Sequence, residues 1–374
     1  MATDTMLRIA AENLEAQMSL IVEEKHRLCL IQPLHIWITG ALSPTCHVLI
    51  PCVLSTEVFP KVTAISLHFL DLEGDAGELQ ELRQETEDLA HPMLYQVTIH
   101  TDLDQAFQDA DVILLLDDFK TDEKNNSDEE KKERVREISE RYRDYGHLID
   151  TRANKQVKAI VSGDSFVNLR CALLVDTARS IDSHQFVASA TQLENQARAI
   201  IAKKMKVRSS DVTDVIVWGN ISGTFYVDLQ RAKIFNYDGA IKGPAFFSQA
   251  ILKIFHDSKW VETDFQQLVR HQHVAVASKT GRAAAASSAN AILQVLKAWN
   301  GACSPDEVLS VGVLCPDGIV LSVPVTLTDG KWSPLLDVTV GDKLKERLGF
   351  CANELQQEKE LGLESCSDVM NKDG

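Results

Sequence analysis

From residue 34 onward, short apolar runs alternate with stretches of helical spacing. Leu34–Thr39, Ala64–Leu70, Tyr95–His100, Val112–Leu116, Val157–Ser162 and Asp214–Trp218 are nearly continuous in apolar residues. Such runs are typical of strands buried on both faces. Helical spacing fills the intervals at roughly 46–55, 76–90, 127–145 and 166–177. The rhythm predicts an α/β fold, a six-stranded and mainly parallel sheet covered by helices. Sheets of this kind bind ligands at the carboxyl ends of their strands. Upstream, Leu7, Leu14, Met18 and Ile21 share one face of a predicted helix over residues 3–30, with acids opposite and Pro33 beyond its end.

The texture changes near residue 190. Helices are expected near 244–254, 261–269 and 281–299, strands near 307–324, and a last helix near 342–361. The chain therefore divides into a helical extension at 1–33, a doubly wound unit at 34–190, an α+β unit at 191–362 and a polar tail at 363–374 expected to fray. Residues 117–144 carry a dense run of charge. They read as a surface loop entering a solvated helix whose apolar side is Val135, Ile138 and Tyr142.

Charge narrows the classes of partner. The 38 basic and 54 acidic residues leave a formal net charge of −16, a poor match for nucleic acid or an anionic membrane surface. The eight cysteines form no C-x-x-C pair and no zinc spacing, so reduced, mostly buried thiols and no metal are expected. No apolar run approaches the ~18 residues of a membrane span. The first residues lack the apolar core of a secretory signal, and Asp4, Glu12, Glu15, Glu23 and Glu24 do not suit a transit peptide. A cytoplasmic protein is expected by elimination.

Candidate chemistry begins at the end of the first strand. T-G-A-L-S-P-T-C-H-V-L runs from Thr39 to Leu49, and Asp71 stands 31 residues after Gly40, where the second strand ends. Strand, glycine turn, helix and a later acid form the layout of a Rossmann-type dinucleotide site, in which the acid accepts ribose hydroxyls.

A second stretch is more specific. D-V-I-V-W-G-N-I-S-G-T-F-Y-V-D at 214–228 resembles the I-I-W-G-N-H-S-S-T-Q-Y-P-D segment of cytosolic malate dehydrogenases, in the lactate/malate dehydrogenase superfamily. D-A-D-V-I-L-L-L (109–116), V-K-A-I-V-S-G-D (157–164), S-S-A-N-A-I (287–292) and L-S-V-G-V-L (309–314) extend the resemblance over about residues 34–362. The G-N-I-S-G, S-F-V-N-L and L-L-L-D-D variants are most similar to the 1B branch of that family. The resemblance implies a nucleotide-binding half, an α+β catalytic half, a homodimer, NAD as cofactor, and a role in malate metabolism. The implied reaction is hydride exchange between nicotinamide and the C2 carbon of oxaloacetate or malate.

That reaction needs a proton donor, a carboxylate to orient it, and guanidinium groups for two substrate carboxylates. By the resemblance, the proton-donor histidine falls on Ile221 and the orienting aspartate on Glu194. The substrate arginine falls on Ala197 or Gln196, with Arg198 the nearby cation. K-T-D at 120–122 replaces the family's P-R-R, leaving Lys131 as the cationic counterpart. Asp164 replaces an amide, Ser43 and Pro44 interrupt the glycine loop, and Asp117 replaces a further glycine. Gly40, Asp71 and Ser287 remain as implied cofactor contacts. His271 and His273 could supply a proton only through a rearranged loop.

Losing a general acid typically costs ~10²–10⁴ in rate. An unmatched charge in a desolvated pair costs ~2–5 kcal/mol. The expectation is a malate dehydrogenase-like protein with weakened NAD binding, little or no turnover and a binding or structural role. A working NAD-dependent malate dehydrogenase and an oxidoreductase for a less charged 2-keto acid are the alternatives.

Overall fold

Alternation within the first strand sets the architecture. Ile36 and Ile38 point to one face of the sheet and Trp37 to the other, and all three are buried. A strand buried on both faces belongs in the middle of a sheet, and β1 (Leu34–Thr39) lies there. The computed structural model describes residues 32–116, 128–237, 247–255, 257, 259–280, 285–302, 307–335 and 338–370, with backbone alone at 128, 273–280 and 363–370. The helix expected over 3–30 and the K-T-D segment at 120–122 lie outside the described residues.

The chain runs from β1 through α1 (Pro44–Val53), β2 (Ile65–Leu70), α2 (Ala76–Asp88), β3 (Leu94–His100), β4 (Val112–Leu115) and α3 (Asp128–Arg152). It continues through β5 (Lys158–Val161), α4 (Val167–Thr177), β6 (Phe186–Ser189) and α5 (Thr191–Met205). These six strands pair in the order β3-β2-β1-β4-β5-β6, all parallel. The order reverses beside β1, where Thr39 ends level with Leu70 of β2 and Leu115 of β4. Such a switch point opens a crevice at the carboxyl ends of the strands.

The sixth parallel strand is β6, a four-residue element with no expected counterpart. The strand expected at 214–218 instead belongs to the antiparallel continuation. That part comprises β7 (Val212–Thr213), β8 (Ile216–Gly219), β9 (Phe225–Asp228), β10 (Lys233–Ile234), β11 (Gln249–Ala250) and α6 (Ile251–Ile254). Then follow α7 (Phe265–Thr280), α8 (Ala285–Trp299), β12 (Leu309–Leu314), β13 (Val320–Thr328), β14 (Lys331–Pro334) and α9 (Asp342–Met370). Antiparallel β12, β13, β8 and β9 extend the sheet beyond β6, β14 pairs with β13, and β7, β10 and β11 form a separate small sheet. Of the helix expected near 244–254, only α6 is helical among the described residues. The last helix runs to Met370, past its expected end near 361.

Helices cover both faces. Leu49, Ile50 and Val53 of α1, Leu79 and Leu82 of α2, and Ile292, Val295 and Trp299 of α8 close over Ile36, Ile38, Leu67 and Phe69. On the opposite face, Tyr142, Tyr145 and Ile149 of α3 and Leu173 and Leu174 of α4 meet Trp37, Ile113 and Leu115. A third cluster joins Ala197 and Ile201 of α5 to Val217, Phe225 and Val227 of β8–β9 and to Phe265 and Val269 of α7.

Candidate functional site

The crevice beside β1 begins with backbone geometry. Gly40 has φ +60°, a left-handed conformation that reverses the chain out of β1. Asp71, just past β2, reaches back to this turn. Its Oδ2 accepts the Leu42 N–H at 3.0 Å and its Oδ1 accepts the Glu73 N–H at 3.2 Å. Gly40 and Asp71 are thus brought together, and each carboxylate oxygen keeps a second lone pair for a hydroxyl.

Helix α1 starts at this turn and is poorly furnished with donors. Ser43 is its N-cap and accepts the Cys46 N–H at 3.4 Å, while Pro44 at the first helical position has no N–H. Thr45 remains as the amide of that first turn. Beneath it, burial and then the Asp71 charge push the Cys46 thiol far above its ordinary range, so it behaves as an inert core group. Cys171 and Cys351 are likewise buried, Cys315 is half-buried and Cys52 is exposed.

Glu194 and Arg198, one turn apart on α5, form a close ion pair. The other Glu194 oxygen accepts the Ser310 N–H of β12 at 3.0 Å, and the carboxyl is buried. Burial lifts Glu194 to about 7 even though the Arg198 guanidinium and the Ser310 amide favour the anion. The Ser310 hydroxyl in turn accepts the Val217 N–H of β8 at 2.8 Å. Glu194 therefore ties α5 to the sheet, and Arg198 is its counter-ion.

Ile221 follows β8 on a turn that Asn168 of α4 holds in place. Asn168 Oδ1 accepts the Ile221 N–H at 2.8 Å, and Asn168 Nδ2 donates to the Val320 carbonyl at 2.9 Å and the Gly219 carbonyl at 3.4 Å. The Ile221 side chain lies against two apolar clusters. Its Cδ1 is 3.5 Å from the position a Cβ on Gly312 of β12 would occupy. A hydrocarbon in that place neither gives nor takes a proton.

The remaining expected residues are distributed around this centre. Ser287 at the start of α8 accepts from Gln192 Nε2 at 3.2 Å, and Ser288 donates to Gln192 Oε1 at 2.9 Å, so this end of α8 is fastened to α5. Lys131 is exposed on the first turn of α3, well apart in the chain from the Glu194–Arg198 pair, and lines a cavity with Asp164, Ser222, Glu354 and Glu358. His271 is exposed on α7, and the His273 side chain lies outside the described residues.

Two groupings escaped the reading of the chain. Asn220 Nδ2 donates to Glu354 and Glu358 of α9 at 3.1 Å each, and burial with Glu354 repulsion lifts Glu358 to about 7. The spacing of the two acids, four apart on the last helix, was visible; their union with Asn220 depends on tertiary structure. The second is a relay across three strands. His35 Nδ1 lies 2.9 Å from His68 Nε2, His68 Nδ1 lies 2.7 Å from Thr98 Oγ1, and that hydroxyl lies 2.9 Å from His100 Nε2. Burial, with repulsion from His35 and His100, lowers His68 to about 3 and keeps it neutral. Among the described residues, no group of three or more His, Cys, Asp or Glu could hold a metal ion, and no helix is long and apolar enough to cross a membrane.

Comparison with known proteins adds four findings. Residues 191–366 match the family model described as the lactate/malate dehydrogenase alpha/beta C-terminal domain. A human protein named "Putative malate dehydrogenase 1B" is 37% identical over 373 residues, covering 97% of this chain and 70% of that protein. Bovine cytoplasmic malate dehydrogenase is 31% identical over 343 residues, covering 89% of this chain and 98% of the relative. Among solved structures, Trichomonas vaginalis lactate dehydrogenase in complex with NADH and oxamate superposes with TM-score 0.78 at 27% identity, covering 90% of this chain and 99% of that one.

Proposed function

The chain belongs to the lactate/malate dehydrogenase family, and on that footing we propose that it keeps a weakened NAD site while having lost useful oxaloacetate–malate turnover. Its role in this reading is binding rather than catalysis. The observation that carries the reading is the pairing of Glu194. Its carboxylate is buried and held by Arg198 and the Ser310 amide, so in this reading the pair serves to tie α5 to the sheet rather than to orient a proton donor or clamp a substrate. Ile221, in the position the resemblance gives to that donor, lies against hydrocarbon. The proposed division of labour is 34–190 for nucleotide and 191–362 for the former catalytic half, in a cytoplasmic homodimer.

A nicotinamide dinucleotide would supply the hydride when bound. Gly40 lets the backbone approach a pyrophosphate, and Asp71 can accept ribose hydroxyls beside the Leu42 and Glu73 amides. Pro44 and the Ser43–Cys46 cap reduce the amides that α1 can offer to phosphate. Asp164, exposed after β5, adds negative charge where the resemblance expects an amide on the substrate.

Calorimetric titration of NADH and NADPH into the purified full chain tests the nucleotide half of this proposal. NADH should bind, and NADPH more weakly, because its 2′-phosphate meets the Asp71 charge. Asp71→Ala should erase the preference. Equal or tighter binding of NADPH contradicts the assignment.

A further inference from the structure

Glu354 and Glu358 of α9 share a cavity of about 270 Å³ with Lys131 and Arg134 of α3. The cavity carries both signs of charge: the carboxylates of Glu354 and Glu358 on one helix, the cations Lys131 and Arg134 on the other, and two further acids, Glu130 beside those cations and Asp164 after β5. The acids are held from outside the cavity. Glu354 accepts the Thr224 N–H at 2.8 Å and Asn220 Nδ2 at 3.1 Å, and Glu358 Oε1 accepts the same Asn220 group at 3.1 Å. Glu358 is only 6% exposed, yet its Oε2 is buried with no hydrogen-bond partner. An acceptor left in that state costs free energy unless a donor arrives. Among the described residues, neither Lys131 nor Arg134 forms an ion pair with these carboxylates, although Lys131 lies near enough to favour the Glu358 anion.

Charge and size select the ligand. A dianion is repelled by four lining carboxylates, Glu130, Asp164, Glu354 and Glu358, which outnumber the two cations. A metal ion is repelled by Lys131 and Arg134, and the described residues offer it no set of three ligating side chains. The volume lies just below the ~300–1,000 Å³ of ordinary ligand pockets, which points to a small molecule. We propose that this cavity binds a small zwitterion of the α-amino acid class, with its ammonium on Glu354 and Glu358 and its carboxylate on Lys131 and Arg134. Phe166, which also lines the space, offers a surface for the ligand's side chain. An ammonium beside Glu358 would also draw down its raised pKa, so binding near neutral pH should release protons.

The test is calorimetric titration of the full chain with a panel of L-amino acids, then with the desamino and decarboxylated analogues of whichever binds best. At least one amino acid should bind saturably, and both analogues should bind at least about tenfold more weakly, as expected on losing a charge-assisted contact. Glu358→Gln and Arg134→Met should each weaken binding at least about tenfold with cooperative unfolding retained. Absence of saturable binding across the panel overturns the proposal. So does undiminished binding of either analogue, or of both variants. No outcome depends on nucleotide binding or turnover, so this inference and the dehydrogenase reading fail separately.

Discussion

At the scale of single residues, the substitution of a histidine for Ile221 separates one missing group from a rebuilt site. The new imidazole would find the Glu194 carboxylate already held by Arg198 and the Ser310 amide. Under the proposed reading its tautomer would have no dedicated partner, and the substrate's charges would still want the guanidinium clamps that the family's reaction uses. Ile221→His is therefore expected to leave NADH oxidation with oxaloacetate at the wild-type level, read by absorbance in steady state; a rise of about 10²-fold or more contradicts it. The two buried carboxyls make a second prediction. Glu194 and Glu358 are raised from 4.5 to about 7, chiefly by burial. Folding thus favours their protonated forms, and that contribution is full below pH 4.5 and lost as pH rises through about 7. Glu358 is the cleaner probe, because removing Glu194 strands Arg198. Relative to wild type, Glu358→Gln should gain stability between pH ~4.5 and ~7, by at most about 3 kcal/mol. Denaturant titrations at several pH values measure this, and a parallel pH dependence in both proteins refutes it.

Among elements, β9 shows how an edge strand is finished by side chains. Its inner side pairs with β8, and on its outer side Gln266 of α7 accepts the Val227 N–H at 3.0 Å and donates to the Val227 carbonyl at 2.7 Å. Arg270 donates to the Phe225 carbonyl at 2.8 Å. A strand edge left bare invites pairing with another chain. Gln266→Ala should destabilise by about 1–3 kcal/mol in denaturant and speed hydrogen exchange at Val227; an unchanged midpoint would show that water replaces the amide without loss. Elements of this regular kind were largely legible in the chain. Apolar runs located β1, β2, β4 and β5 within one or two residues, because strands buried on both faces have no polar side to confuse the signal, and the edge strand β3 showed instead through its alternation, with Val97 inward and Tyr95 and Gln96 exposed. β6 was missed because Phe186–Ser189 is short and ends on Ala188 and Ser189. The strand expected at 214–218 exists as β8, but apolar content alone does not distinguish a parallel neighbour from an antiparallel one.

For the whole molecule, topology decides what the sequence could disclose about function. The meeting of the Gly40 turn with Asp71 followed from local spacing, since both residues lie at the ends of adjacent strands, whereas the order β3-β2-β1-β4-β5-β6, with its unexpected sixth strand, did not. The Glu194–Arg198 pair is also local, one helical turn apart, but the bond from Glu194 to Ser310 is not, because Ser310 lies 116 positions away. The Asn220–Glu358 contact spans 138 positions and was equally hidden. Motifs therefore pointed to the family and to the positions its chemistry would use, whereas only tertiary contacts show what the residues at those positions touch. The central claim is that a family fold remains while the chemistry of its reaction has been dismantled. Steady-state oxidation of NADH by the purified full chain with saturating oxaloacetate tests it most directly. The account predicts a rate indistinguishable from the uncatalysed background, and turnover near the ~10 s⁻¹ median of enzymes would contradict it.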